Sequence, residues 1–509
     1  MKASSIKIWL RRSVLIIAAL TMGTFLWVDY QIDQLWGDHT VVVDHTQFGV
    51  PQQKIVIRDV SVLSPDGNTM IADQTVIIDQ GKIIALGSEL NVPIDAMRVN
   101  GEGKYLIPGL IDSHVHLWQS PNDLLLYLAN GVTHIRELNG SELHLQWKQE
   151  LHEGRLGPRL FVASGRINSN GVIKAWFSHW TSKDTSVNTI NDAERLVKSI
   201  SDKGYDAVKV YTFLDPQDYL AINAAAKRIG IPVLGHTPIS ADLDLVWNST
   251  QQELAHVEEL VKALIREFGR YDETTAGDFL KYVESRSNEL VNHLSENGMA
   301  VVSTLWLMES FVQQKFDLDG ILNTVELAYA NPGITEGVVI TSRAMGWLPG
   351  ENIYRIPEDL SAKRKQYIRV YWQTYAQAHR ILLNAMLDKG VTVLAGTDAN
   401  VPVTVPGFSL HDELQSLTNA GLSPAQALHT ATVAPSDWMS VRSGKITVGY
   451  NADLVLLDGN PLKNISNTKK IEAVISKGRY LDRQRLDDIL NAVKSANDQS
   501  RSVNISQHN

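Results

Sequence analysis

The stretch YLIPGLIDSHVH, residues 105–116, marks the point at which the periodicity of the chain changes. Before it, KIVIRDVSVL (54–63) and residues 69–87 alternate apolar and polar positions, with a tight turn inside DQGKIIALG, and read as short antiparallel strands. After it, strand-like runs alternate with helical ones. The strand candidates are 106–116, GVTHIREL (131–138), RLFVAS (159–164), AVKVY (207–211), PVLGHT (232–237), LAHVEEL (254–260), AVVSTLW (300–306) and VTVLAGTDA (391–399). Eight such runs, most separated by enough chain for a helix, imply an α/β fold with a closed, parallel, TIM-like (β/α)8 barrel. Long gaps after the third and seventh runs imply insertions, and 308–390 is expected to form a helical lid. Past the barrel, SGKITVGYNADLVLLDGNPL and KKIEAVISKGRYLD return to short alternating strands. The expected organisation is a barrel at 108–435, a small composite β-sandwich domain from 50–107 plus 436–484, and a polar, frayed tail at 491–509.

The 509 residues carry 47 Lys+Arg against 56 Asp+Glu, a formal net charge of −9, with 44% apolar residues and no cysteine. Ordinary apolar content excludes low-complexity disorder for most of the chain. The acidic balance argues against nucleic acid as a partner. Without cysteine there is no disulfide framework, thiolate metal site or cysteine nucleophile.

Residues 1–36 read as a membrane anchor or signal sequence. Lys2, Lys7, Arg11 and Arg12 precede the uncharged run SVLIIAALTMGTFLWV (13–28), followed by Trp27, Tyr30 and Trp36 where interface aromatics belong. No A-x-A cleavage site follows, which favours an uncleaved transmembrane helix over a protein secreted after cleavage. The positive-inside rule then places the catalytic domain on the periplasmic or extracellular side.

The chemistry-bearing residues cluster at strand ends. His114 and His116 stand two apart, so in a strand both imidazoles project to one face. Lys209 ends the fourth strand candidate, His236 the fifth, His256 lies on the sixth and Asp398 ends the eighth. Residues at the C-terminal ends of barrel strands converge on one site, and imidazole with carboxylate suits a borderline metal such as zinc. Tyr211 points the same way as Lys209. His179 follows the third strand, and Arg136 ends the second, where it could pair with an anionic substrate group or form a structural salt bridge. Trp118, Trp176, Trp180 and Trp306 fall near loops over the mouth.

With PGLIDSHVH, VKVY, GHT, AHVEEL, AGTDA and GKITVGYNADLVLLDGNP in order, the chain resembles the amidohydrolase superfamily of the two-metal type, over about residues 50–484. Among the subgroups it resembles imidazolonepropionase-like and prolidase-like hydrolases, in which a strand-four Lys occurs in a similar K-[VI]-Y setting. The resemblance implies two divalent ions, with zinc the expected metal. His114 and His116 would bind the more buried ion and His236 and His256 the more exposed one. Lys209 would bridge them as a CO2-derived carbamate. Asp398 would be both a metal ligand and the catalytic acid/base beside a bridging hydroxide. The chain departs from the peptidase-like groups after the third strand, where ASGRINSNGVIKAWFSHW stands in place of a Gly-rich loop with a histidine. The expected function is hydrolysis of an amide, cyclic amide or dipeptide-like C–N bond in a small molecule or short peptide. The alternatives are an esterase, lactonase or phosphotriesterase using the same site, and a non-enzymatic scaffold. A deaminase is disfavoured because such sites use one metal without a carboxylated lysine. The membrane is a further expected partner, and a homo-oligomer is a partner the sequence leaves open.

Overall fold

A computed structural model describes residues 2–338 and 346–508. Eight short parallel strands form a ring: Leu110–Val115, Val132–Glu137, Arg159–Val162, Val208–Val210, Val233–Gly235, Glu253–Leu254, Ala300–Val302 and Val393–Leu394. The third strand meets the fourth through Ser164 N–H to Ala207 O (2.9 Å) and Asp206 N–H to Val162 O (2.8 Å). The eighth meets the first through Ser113 N–H to Ala395 O (2.9 Å). The barrel is thereby closed, with no free edge. Its helices follow from amphipathic spacing: in Ile190–Asp202, Ala193, Val197 and Ile200 are buried and Thr189 caps the first turn.

The strand boundaries differ from the sequence expectation in an instructive way. Residues 105–116 are two strands, with Tyr105–Pro108 in the small sheet and Leu110–Val115 in the barrel. LAHVEEL contributes only Leu254 to its strand, and a helix takes over at Glu258. Two three-residue strands, Ile167–Ser169 and Thr185–Val187, pair with each other around the helix Val172–Ser182, forming the insertion after the third barrel strand.

The small sheet joins both ends of the chain. Leu454–Leu457 pairs antiparallel with Tyr105–Pro108, which lies beside Ile55–Leu63. The sheet curls until Lys82 bridges Asn451, enclosing a core that includes Ile55, Ile57, Val76, Ile78, Leu106, Leu454 and Ile475. Asp453 fastens the sheet to the barrel, accepting from Arg159 Nε (2.7 Å) and from Lys477 N–H (2.9 Å).

The C-terminal stretch is not frayed. Arg483–Ser500 is a helix, and buried Asn497 donates from Nδ2 to the carbonyls of Ala328 (3.2 Å) and Tyr329 (2.9 Å). These bonds satisfy an otherwise unpaired loop, which composition alone does not reveal. Within 308–390, Ala362–Asp388 packs on the barrel as one long helix, while Leu318, Ile334 and Trp347 gather around Ile32, Trp36 and Trp118. Residues 339–345 of that expected lid lie outside the described residues. Trp36 is thus buried rather than an interface aromatic, its ring edge-on to Trp118 at 4.8 Å.

The N-terminal helix spans Lys2–Leu35. Its stretch Arg11–Leu35 is long and apolar enough to cross a membrane, and the rest of the chain leaves its most apolar window uncovered.

Arg136 does not reach the mouth. It is fully buried inside the barrel, ion-paired with the equally buried Glu253, donating to Ser113 O (2.9 Å) and stacked 4.4 Å over Trp438. Removing one member of such a pair strands the other, whereas replacing both need not. Arg136→Met is expected to lose about 3–5 kcal/mol of stability. Arg136→Met with Glu253→Leu should recover most of that in denaturant unfolding.

Candidate metal centre

The C-terminal ends of five barrel strands deliver six side chains to one cavity of about 200 Å3, lined by His114, His116, Lys209, His236, His256 and Asp398 together with Arg166, Tyr211, Thr212, Glu258 and Lys262. The pleat of the first strand aims His114 and His116 inward. Gly235, with φ +136°, brings the chain so close to the fourth strand that a Cβ would stand 2.0 Å from Val210 O, which accounts for the glycine before His236. Asp398 has a left-handed backbone, φ +57°, held by its N–H donating to His114 O (2.8 Å).

Ligand atoms of His114, His116 and Asp398 lie within 4.8 Å of one another. Asp398 Oδ1 is 2.9 Å from His116 Nε2 and 3.4 Å from His114 Nε2. The other two imidazoles close the ring: His256 stacks on His114 at 4.4 Å and stands edge-on to His236 at 5.2 Å. Three of the four histidines spend Nδ1 on an outer group, and the fourth, His116, only faces one. His114 meets Ala255 O (3.3 Å), His236 meets Glu259 Oε1 (3.1 Å), His256 meets Thr304 Oγ1 (3.3 Å), and His116 faces Glu137 Oε1 at 3.7 Å. That arrangement leaves Nε2 as the ligand nitrogen throughout, as metal-binding imidazoles require.

The electrostatics fit a cation. Burial, reinforced by the Lys209 charge, pushes His114 well below the usual imidazole range; burial does the same to His256 and lowers His236. His116 is raised: burial opposes its charge, but Asp398 and Glu137 outweigh that. Burial also opposes ionisation of Asp398, yet the His116 hydrogen bond and neighbouring positive groups hold it far below the usual carboxylate range. Lys209 Nζ is buried without a hydrogen-bond partner among the described residues, and burial lowers its pKa to about 8. A buried amine without a partner is costly unless something neutralises or occupies it.

Several contributors escaped the sequence reading. Glu259 orients His236 and accepts from Thr237 N–H (2.9 Å); its only signal was the acidic pair directly after His256. Glu137 backs His116 and accepts from Asn139 N–H (2.7 Å). Arg166 sits over the Tyr211 ring at 4.9 Å and donates to Asp184 Oδ1 (2.9 Å). Tyr211 itself does reach the cavity, 4.5 Å from His236 ring to ring. His179 does not line it: its Nδ1 lies 3.2 Å from Asp184 O on the outer helix. The four mouth tryptophans are likewise absent from the lining.

The chain belongs to the amidohydrolase family, whose family model matches residues 105–481. Among solved structures it is similar to a bottromycin amidohydrolase, with a TM-score of 0.67, 22% identity, and coverage of 92% of this chain and 96% of that one. It is also similar to a Xaa-Pro dipeptidase with bound methionine, with a TM-score of 0.60, 17% identity, and coverage of 84% and 100%. At those identities the likeness is one of fold. A deacetylase from Brucella anthropi is 46% identical over 44 residues, a match spanning 9% of this chain and 11% of that enzyme.

Glu259→Gln should weaken metal binding at the His236 side by about 10–100-fold. Titration against a competing chelator measures this, and unchanged affinity would count against Glu259 as an orienting group.

Proposed function

We propose that the protein is a binuclear metal-dependent hydrolase of an amide-type C–N bond. The observation that carries this reading is the buried, unpartnered Lys209 Nζ among four histidines and Asp398 in one cavity. As an ammonium, Lys209 is no metal ligand; as an N-carboxylated amine it would offer two oxygens able to join a pair of ions. Its depressed pKa favours that modification, because only the neutral amine reacts with CO2. His114, His116 and Asp398 would hold one ion and His236 with His256 the other, zinc being the candidate for a nitrogen and oxygen donor set. Held there, two such ions would supply a lowered pKa for bound water and polarisation of a carbonyl. Asp398, kept ionised, takes the proton from the attacking water and returns it to the leaving nitrogen. Arg166 and Tyr211 form the wall against which the rest of the substrate lies. The uncovered N-terminal helix supports a membrane-anchored enzyme with its catalytic domain on the extracytoplasmic side.

Assays with dipeptides, N-acyl amino acids, cyclic amides and lactones test the reading. Asp398→Ala is expected to lower kcat by about 10²–10⁴, and Lys209→Ala to lose activity together with bound metal. Equal activity in all three chains would sink the mechanism, and cleavage of lactones without amides would move the assignment to esters. At a fixed concentration of dissolved CO2, activation of metal-free protein by zinc should quicken as pH rises through about 8, where the Lys209 amine loses its proton. A rate independent of pH would argue against carboxylation there.

A further inference from the structure

The helix Val172–Ser182 has no buried residue. Val172, Ile173, Trp176 and Phe177 are 81%, 84%, 59% and 54% exposed. With Trp180 they repeat at i, i+1, i+4, i+5 and i+8, which gathers them on one face. Four large apolar side chains on a single short helix exceed the scattered exposure ordinary for a soluble surface.

What covers that face is indicated by its neighbour. Trp176 stacks on Trp180 at 5.6 Å, and Trp180 stacks on Phe25 of the N-terminal helix at 5.0 Å. The two helices are tied by Trp180 Nε1 to Asp29 Oδ1 (2.9 Å) and Trp36 Nε1 to Thr181 O (3.0 Å). The apolar face therefore continues onto the uncovered surface of the membrane-length helix. Its depth also agrees. The uncharged run 13–28 ends three residues beyond Phe25, about 5 Å along a helix axis at ~1.5 Å per residue. Helices lying in the membrane plane bury their apolar face about 5–10 Å into the headgroup–acyl boundary. Tryptophan is the residue enriched at that level.

The same helix is tied to the wall of the metal cavity. Arg166 in the cavity wall donates to Asp184 Oδ1 (2.9 Å), just past the helix, and to Ser182 O (3.2 Å), its last residue. Lys174 reaches over the Phe213 ring at 5.5 Å. Phe213 and Ile239 are 55% and 56% exposed and flank Thr212, whose carbonyl accepts from Ile239 N–H (2.9 Å). Two exposed apolar side chains thus stand beside Thr212 of the cavity wall, and Lys174 links one of them to the exposed helix.

We infer that Val172–Ser182 is a second membrane contact, pressing the mouth of the metal cavity against the lipid bilayer, and that the substrates are lipophilic amides taken from the outer leaflet. The substrate half of this inference rests on the proposed hydrolase activity; the docking half does not.

The absence of cysteine makes the test direct. Ile173→Cys, Phe177→Cys and, as a control on the small domain, Val448→Cys each receive a nitroxide label in the full chain. The labelled chains are reconstituted at one copy per phosphatidylcholine vesicle, and power saturation with oxygen and a nickel chelate reads depth. Labels at 173 and 177 are expected at the headgroup–acyl boundary and the label at 448 in water. Water-like readings at all three overturn the docking. So does spin–spin broadening at 173 between copies at higher loading with water-like depth at one copy, which assigns the face to a second chain. Separately, Ile173→Ser with Phe177→Ser should lower turnover of a long-chain N-acyl amide embedded in vesicles at least tenfold, leaving a short, water-soluble amide unchanged. Equal loss on both overturns the substrate class. If the unaltered chain cleaves no amide, the hydrolase reading fails, and the depth measurement still decides the docking.

Discussion

The structure depends on a burial that the chain does not complete by itself. An amine, four imidazoles and a carboxylate are drawn into one cavity at the C-terminal mouth of the barrel. Asp398 is close enough to His116 and His114 to be shared by both, but Lys209 Nζ has no hydrogen-bond partner among the described residues. Desolvation penalises the charged forms of the lysine and of most of the imidazoles. Such a cluster persists only because the strands that carry it are fixed elsewhere, by ring closure and by the Arg136–Glu253 pair deeper in the barrel. The two clusters divide the work: the lower one satisfies its own charges and holds shape, and the upper one leaves its donors for a ligand.

Around the cavity, orientation is set at one remove. Ala255 O, Glu259, Thr304 and Glu137 take the outer side of the imidazoles, and each comes from a segment adjoining a barrel strand. Glu259 opens the helix directly after the sixth strand, so the short link through His256 fixes both a ligand and the partner of its neighbour. Changes in that link would therefore be felt at two imidazoles together.

The barrel and the gathering of His114, His116, Lys209, His236, His256 and Asp398 in one cavity were legible in the sequence because they obey strong local rules. Period-two runs mark the strands, and the inward pleat of His114 and His116 follows from their spacing. What escaped was decided by tertiary geometry. Strands of two or three residues, such as Glu253–Leu254 and Ile167–Ser169, carry too little pattern to separate from the helices beside them. Arg136 sits at a strand end like the ligands, yet points at Glu253, a partner 117 positions away. Arg166 carries no periodic signal of its own, and the polar terminal stretch reads as disorder until Asn497 is seen filling the bonds of residues 328–330. Long-range pairing of single polar side chains leaves no periodic trace.

The small sheet also has a bearing on how the chain is made. Tyr105–Pro108 waits for Leu454–Leu457, and the whole barrel lies between them in the sequence. During synthesis the first strands of the sheet emerge long before their partners and present an open hydrogen-bonding edge throughout barrel assembly. The last strands then act as a latch that can close only on a nearly finished molecule. Late truncation or a stalled C-terminus would accordingly yield a chain with an adhesive edge rather than a shortened enzyme.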